Sequence, residues 1–335
     1  MITSKLMGQY KKYGFVPATK NLIYHWLTRE RRCSFGSLNS DKIFYVIRSI
    51  DSKSPFYIGP VHNLLANYFY VLSHIKYAQV KGWIPVVDQL HYPVYNSLKQ
   101  PVHGTMNAWE YFWEQPSEYT LEEVYNSKNV ILSKKNWFSE YDMGYDVSNY
   151  HNINLIKAYH QLSLCVPLKK FFIQHVEKEK NYLLKKNKRY LGVSFRFGGY
   201  SRKCFKPGAG HPIQPEINEL LKIIKKYLQE EKFDYVFLTT DIVEVITVFK
   251  EFLGDKIIVF DRSRMSEYMT ETDVTNWYKI KGIHKITTDY LIEMELLSQC
   301  TGIIGSITSG LRYAIVRNGG AYELCNVLDY GLFSG

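Results

Sequence analysis

The sequence predicts an α/β protein of two Rossmann-like domains, each with a mainly parallel sheet, facing a cleft. Three observations carry this. Short β-branched segments alternate with helix-length amphipathic ones from Lys42 onward, the order that parallel sheets with crossover helices require. The chain has 335 residues, room for two domains of ~100 to 200 residues each. Its composition, 46% hydrophobic and only 22% charged, supplies apolar surface for full cores and excludes a disordered chain.

Residues 1–40 read as a basic arm. Lys5, Lys11, Lys12, Lys20, Arg29, Arg31 and Arg32 stand against Glu30 alone, and NLIYHWLTRERR sets Leu22, Ile23, Trp26 and Leu27 on one side of a helix. Such an arm either lies on an anionic membrane surface or docks on the body as a solvated terminus. The N-terminal domain is expected over 41–165. It opens with a strand at 43–50 (IFYVIRSI), turns at Gly59 and Pro60, and continues in a helix whose stripe is Leu65, Phe69, Leu72, Ile75 and Ala78, with Gly82 as its C-cap. Strand 83–88 (WIPVVD) completes a βαβ unit. Residues 91–119 are rich in Pro, Tyr, Trp and His without a period, and VILS at 130–133 is a further strand.

A helical and then strongly basic stretch, VEKEKNYLLKKNKRY, leads into the C-terminal domain, expected over 166–335, with the crossing at about 165–185. There the alternation is cleaner: strand 190–197, helix PEINELLKIIKKYLQEE, strand 235–241, helix VEVITVFKEFLG, strand 256–261, a polar loop, helix 289–300, strand 302–306 and helix SGLRYAIVRNG. In such sheets ligands sit beyond the carboxyl ends of the strands.

The net charge of +10 points to an anionic partner: phosphate, nucleotide, lipid headgroup or nucleic acid. Five cysteines, odd in number and without a Cys-x-x-Cys pair, fit reduced thiols in a cytosolic protein and argue against zinc. The N-terminal residues lack the apolar run of a secretory signal, and no stretch of ~18 apolar residues would span a membrane, so a soluble or peripheral protein is expected. HExxH, EF-hand, GxGxxG and Walker motifs are absent from the sequence.

Arg196 closes a buried strand just before Gly198 and Gly199, a placement that favours a diphosphate ligand for its guanidinium over the alternative of a structural ion pair. In GSITSGLR, residues Ser306, Thr308, Ser309 and Gly310 turn a strand into a helix whose first N–H groups lack partners. That arrangement admits a phosphate or is ordinary capping, with Arg312 close behind. Glu293 and Glu295 interrupt an apolar helix; one is expected on a cleft and could meet a base edge, and a solvated face explains at least one of them. The loop GYSRKCFKPGAGHPIQPE brings Arg202, Lys203 and Lys206 toward the same crevice with His211, a candidate proton carrier. Asp241 and Asp261 end strands, where carboxylates meet ligands or cap the next helix.

These segments together resemble the fucosyltransferase-like superfamily of GT-B glycosyltransferases over residues ~41 to 335. A Gly-x-x-x-Asn helix start looks like Gly59 to Asn63. A His-x-Arg-x-Gly-Asp strand end is similar to SFRFGG, aligning Arg196 with the arginine that holds the donor diphosphate. An acid-bearing helix, strand and serine loop resemble EMELLSQCTGIIGSITSGLR, placing Glu293 at the base-recognising acid and Thr308 and Ser309 at the phosphate loop. Ser194 stands where the family often has His, and Gly199 where it has Asp. The stretch His211, Pro212, Gln214 and Pro215 resembles one in bacterial capsule-locus members.

The resemblance implies inversion at the anomeric carbon without metal or other cofactor, with GDP-fucose as the first donor and a glycan or lipid-linked oligosaccharide as acceptor in bacterial surface-polysaccharide synthesis. Arg196 would balance the leaving diphosphate, and His211, then Asp88, are the candidate bases. Asn63, Ser194, Asp241 and Arg312 complete the expected donor contacts. A cytoplasmic protein peripheral on the inner face of the membrane would follow. Two other readings stand beside it: an inactive nucleotide-sugar-binding or scaffolding relative, and a nucleic-acid-binding protein. The second is opposed by a body without an aromatic RNA-binding signature or helix-turn-helix.

Overall fold

The structure, a computed structural model, describes residues 28–49, 63–196 and 211–333 except 232, with Thr19, Lys20, Ile23 and Trp26 ahead of them. The chain divides into two units, 1–142 with 164–169, and 143–163 with 170–335. The first carries a four-stranded sheet in the order β1 (Arg31–Cys33), β4 (Val130–Leu132), β2 (Phe44–Arg48), β3 (Ile84–Asp88). β2 pairs in parallel with β3 and β4, and β1 pairs antiparallel with β4. Every residue of β2 is buried because both faces of the strand are covered.

Helix α1 (Leu64–Lys81) starts on Asn63, whose Oδ1 accepts the Ala66 N–H at 2.8 Å, and ends on Gly82 at φ +68°. Its expected stripe of Leu65, Phe69, Leu72, Ile75 and Ala78 lies at 0 to 1% exposure, the core-facing seam of the unit. The aperiodic stretch 91–119 is held by rings instead of backbone repeats. Trp109, Tyr111, Phe112 and Trp113 are fully buried, and the Tyr68, Trp109 and Trp113 rings lie within 4.7 to 6.1 Å of one another. Helix α2 (Leu121–Val124) is a single turn with a Thr120–Glu123 capping box.

The second unit contains α3 (Ile153–Ser163), α4 (Lys170–Leu183) and an all-parallel five-stranded sheet in the order β7 (Ile257–Val259), β6 (Tyr235–Thr239), β5 (Tyr190–Ser194), β8 (Gly302–Ser306), β9 (Leu324–Leu328). Its helices are α5 (Ile217–Glu230), α6 (Val243–Leu253), α7 (Glu271–Lys281), α8 (Ile283–Leu297) and α9 (Ser309–Asn318). Leu191, Val193, Leu220, Ile224, Val236, Leu238 and Phe249 form one continuous core.

Three expectations are corrected, and one strand is new. The 1–40 arm is not wholly separate, since Arg31–Cys33 pairs with β4 and Leu38 bridges Ser127. The boundary at 165/166 is not where the chain crosses. Residues 143–163 already belong to the second unit, because α3 packs on α9, with the His160 ring meeting the Val316 carbonyl at 2.9 Å, whereas 164–169 return to the first. The polar loop after 261 contains α7, started by a Thr270–Asp273 capping box. The strand at 324–328 was not expected at all.

Candidate functional site

In the second sheet β5 runs to β6 and β7 on one side, and β8 to β9 on the other, so the order reverses between β5 and β8. An open parallel sheet leaves a crevice at the carboxyl ends of such a pair. The strands lie close here: Ser194 pairs with Gly305, and a Cβ on Gly305 would stand 2.4 Å from the Ser194 carbonyl oxygen, so only glycine fits. One residue on, the Ser306 hydroxyl is buried and has no hydrogen-bond partner among the described residues. An orphaned polar atom in this position is a place for a ligand.

Thr308 caps α9, its Oγ1 accepting the Leu311 N–H at 3.2 Å. The first N–H groups of α9, including those of Ser309 and Gly310, have no helical acceptor and sit at the positive end of the helix dipole. Gly310 lets α9 approach α8: a Cβ there would meet Tyr290 Oη at 2.5 Å and Met294 Sδ at 2.8 Å.

Arg196 follows β5 by two residues. Its Nε lies 3.4 Å from an Asp241 carboxylate oxygen, its Nη1 donates to Tyr290 Oη at 3.3 Å, and its guanidinium carbon is 5.5 Å from the Tyr290 ring centre. Asp241 stands just beyond β6, so the two ends of neighbouring strands aim this arginine. His211 is near enough that burial, and then the Arg196 charge, hold its imidazole below its ordinary value. Its carbonyl accepts the Phe333 N–H at 2.9 Å.

Glu293 of α8 is 0% exposed and carries two arginines. Arg262 Nε and Nη2 reach its Oε2 at 2.9 and 2.8 Å, and Arg264 Nη2 reaches its Oε1 at 2.8 Å. Both guanidinium groups also donate to the Thr240 carbonyl. Burial opposes the charge on both; the Glu293 carboxylate more than restores it for Arg262, whose pKa is raised, while burial prevails for Arg264, whose pKa is lowered. The Tyr290 ring lies against Arg262 as well, at 6.0 Å. The cluster thus sets three guanidinium groups against the carboxylates of Asp241 and Glu293, with the charge of Asp261 also acting on Arg264.

The structure therefore gathers Ser194, Arg196, Asp241, Glu293, Ser306, Thr308, Ser309 and Gly310 around the carboxyl ends of β5, β6 and β8. Glu293 is engaged by arginines at both oxygens, and Glu295 is no solvated acid: it is 5% exposed and accepts from Tyr313 and from Arg317. Arg312 lies fully buried one helical turn below the loop, with its guanidinium 4.7 Å from the Tyr145 ring centre. Asn63 and Asp88 belong to the first unit, Asn63 as the cap of α1. Gly59, Pro60, Gly198, Gly199, Arg202, Lys203, Lys206 and most of the basic arm lie outside the described residues.

Sequence reasoning missed Arg262, Arg264 and Tyr290. The signal was present, since DRSR follows an apolar strand as Arg196 does. Among the described residues no three His, Cys, Asp or Glu side chains gather as metal ligands, and no helix is long and apolar enough to cross a membrane. A separate open cavity of about 460 Å³, lined by Lys180, Lys185, Lys186 and Lys188, lies at the opposite ends of the strands, beside Tyr190 and Thr301.

An arginine and a helix N-terminus meeting over a switch point define an α/β protein with a site shaped for an anion. Among solved structures the chain is similar to the fucosyltransferase NodZ from Bradyrhizobium (14% identity over 82% of this chain and 92% of that one, TM-score 0.44). It is also similar to a variant of Arabidopsis thaliana FUT1 in complex with GDP (12%, 95% and 76%, 0.43) and to POFUT1 in complex with GDP (9%, 86% and 99%, 0.45). No family model and no curated protein matches the chain.

Proposed function

We propose that the protein is an inverting, metal-independent glycosyltransferase that takes a sugar from a nucleoside diphosphate, GDP-fucose first, and passes it to a glycan in bacterial surface-polysaccharide synthesis. The observation that carries this reading is that Arg196 and the start of α9 converge on Tyr290 beyond β5: Arg196 Nη1 donates to Tyr290 Oη at 3.3 Å, and a Cβ on Gly310 would stand 2.5 Å from the same oxygen. When the bond between sugar and diphosphate breaks, negative charge gathers on the leaving oxygens. Fixed donors aimed at that charge lower the barrier without reorganising. Arg196, the Ser306 hydroxyl and the first N–H groups of α9 would supply them, while Asp241 and Tyr290 hold the guanidinium in place. Glu293 would hold Arg262 and Arg264 in place beside the nucleotide. The basic arm would hold the enzyme on the cytoplasmic face of the membrane, near a lipid-linked acceptor.

Thermal-shift measurements with GDP, UDP, CMP and dTDP test the reading. A nucleotide at ~100 times its dissociation constant stabilises the native state by ~2.7 kcal/mol. GDP is expected to give the largest shift and Arg196→Ala to abolish it; an equal shift in that variant refutes the site.

A further inference from the structure

The lysine-lined cavity at the amino ends of β5 and β8 lies wholly within the second unit, at the opposite ends of these strands from Arg196. Its backbone is held from both sides. Helix α4 closes with the Leu184 N–H on the Lys180 carbonyl at 2.7 Å. The Lys185 N–H then meets Tyr190 Oη at 2.6 Å, and the Arg189 N–H meets the Asp234 carboxylate at 2.8 Å. Between these anchors Asn187 turns the chain at φ +60°, a left-handed position that asparagine tolerates. The lysines are thus carried on a pinned turn and not on a free tail.

The lining is one-sided in its chemistry. Lys180, Lys185, Lys186 and Lys188 stand against Glu177 alone among the charged residues of the wall. Lys188 is paired with Asp234 at 3.0 Å and Lys180 lies 3.8 Å from Glu177, whereas Lys185 and Lys186 enter no ion pair among the described residues. The Tyr190 hydroxyl accepts the Lys185 N–H and the Thr301 hydroxyl accepts the Tyr190 N–H, which leaves each its own hydrogen to donate. Lysines past a helix C-terminus also complement its dipole. That accounts for Lys185 and Lys186, but not for Lys188 at the start of the strand, nor for the open space of about 460 Å³ between them. A wall rich in donors calls for an anion, and lysine, a compact point charge, suits a tetrahedral phosphate better than a planar carboxylate that wants a fork.

We propose that this cavity is a second anion site, which holds the phosphate group of a soluble phosphorylated compound or of a lipid head. The proposal does not depend on the transferase reading. Tyr182, 82% exposed in the last turn of α4, supplies the interfacial ring that a headgroup contact would use. Because its lysines face solvent, the site binds weakly and is screened by salt, which separates it from a nucleotide held at the carboxyl ends of the strands.

The test uses the full chain at low salt with two probes: inorganic pyrophosphate, and phosphatidylcholine vesicles with and without phosphatidylglycerol. Hydrogen–deuterium exchange locates the pyrophosphate, and co-sedimentation measures the vesicles. Each lysine beside an anionic surface contributes about a fivefold gain, so Lys185→Gln/Lys186→Gln is expected to weaken binding about 25-fold while GDP binding stays unchanged. Arg196→Ala should leave the cavity's response intact. Slowed exchange across 177–190 with pyrophosphate identifies a soluble ligand, and a variant-sensitive gain on the anionic vesicles alone identifies a headgroup. Neither response in the wild type, or equal responses in the double variant, overturns the proposal. A wild type that shows these responses but binds no GDP removes the transferase reading and leaves this site standing.

Discussion

His74 shows what burial does to a single ionisable residue in the first unit. Its ring is fully enclosed, with Nδ1 accepting from the Tyr45 hydroxyl at 2.9 Å and Nε2 donating to the Asn136 carbonyl at 3.1 Å. Both nitrogens are satisfied only in the neutral form, and burial, aided by the charges of Lys134 and Arg48, lowers the pKa to about 3. In the unfolded chain a histidine titrates near ~6.5. Above that pH neither state binds the proton; as pH falls from about 6.5 toward 3, only the unfolded state does, so stability is lost across that window. Between pH 7 and 5 this group should cost about 2 kcal/mol. Urea melts at the two values should show wild type losing that much more than His74→Gln, and parallel losses would contradict the assignment. The same residue type at 91 is exposed and aimed by a carboxylate, so sequence alone separates the two only once their elements are known. Arg196 was legible because a charged residue closing an apolar strand has few places to point. The partners of Glu293 were not, since they come from a loop about 30 positions upstream.

At the scale of elements, the α8–α9 contact sets the site's geometry through Gly310. Alanine in a helix interior normally improves on glycine by ~1 kcal/mol. Here its methyl would overlap Tyr290 Oη and Met294 Sδ, and Tyr290 is the residue that positions Arg196. Gly310→Ala is expected to destabilise by about 1 to 3 kcal/mol, the usual cost of overpacking, and to weaken GDP binding; a raised melting temperature with unchanged binding would contradict this. The elements that were legible, α1, β5, β6 and β8, combine a strong apolar pattern with clear termini. The short edge strand RRC carries two arginines and so reads as part of the basic arm. The strand LCNVL is partly exposed along most of its length and lacks an apolar run. Helix α7 is announced by Thr270 and Asp273 at capping-box spacing, although its body, ETDVTNWYKIK, is too polar to show a stripe.

For the whole molecule, two parallel sheets were legible from alternation, but the path between them was not. The chain enters the second unit at 143, returns for 164–169 and leaves again. An amphipathic helix such as α3 shows that it needs a partner without showing that the partner, α9, lies about 150 residues downstream. The central claim is that an anion binds over the β5/β8 switch point. Hydrogen–deuterium exchange of the full chain with and without GDP tests it most directly. GDP should slow exchange at the amides of Phe195 and Arg196 and across residues 306–312, leaving 84–91 unchanged; protection confined to the lysine-lined stretch 177–188, or none anywhere, would contradict it.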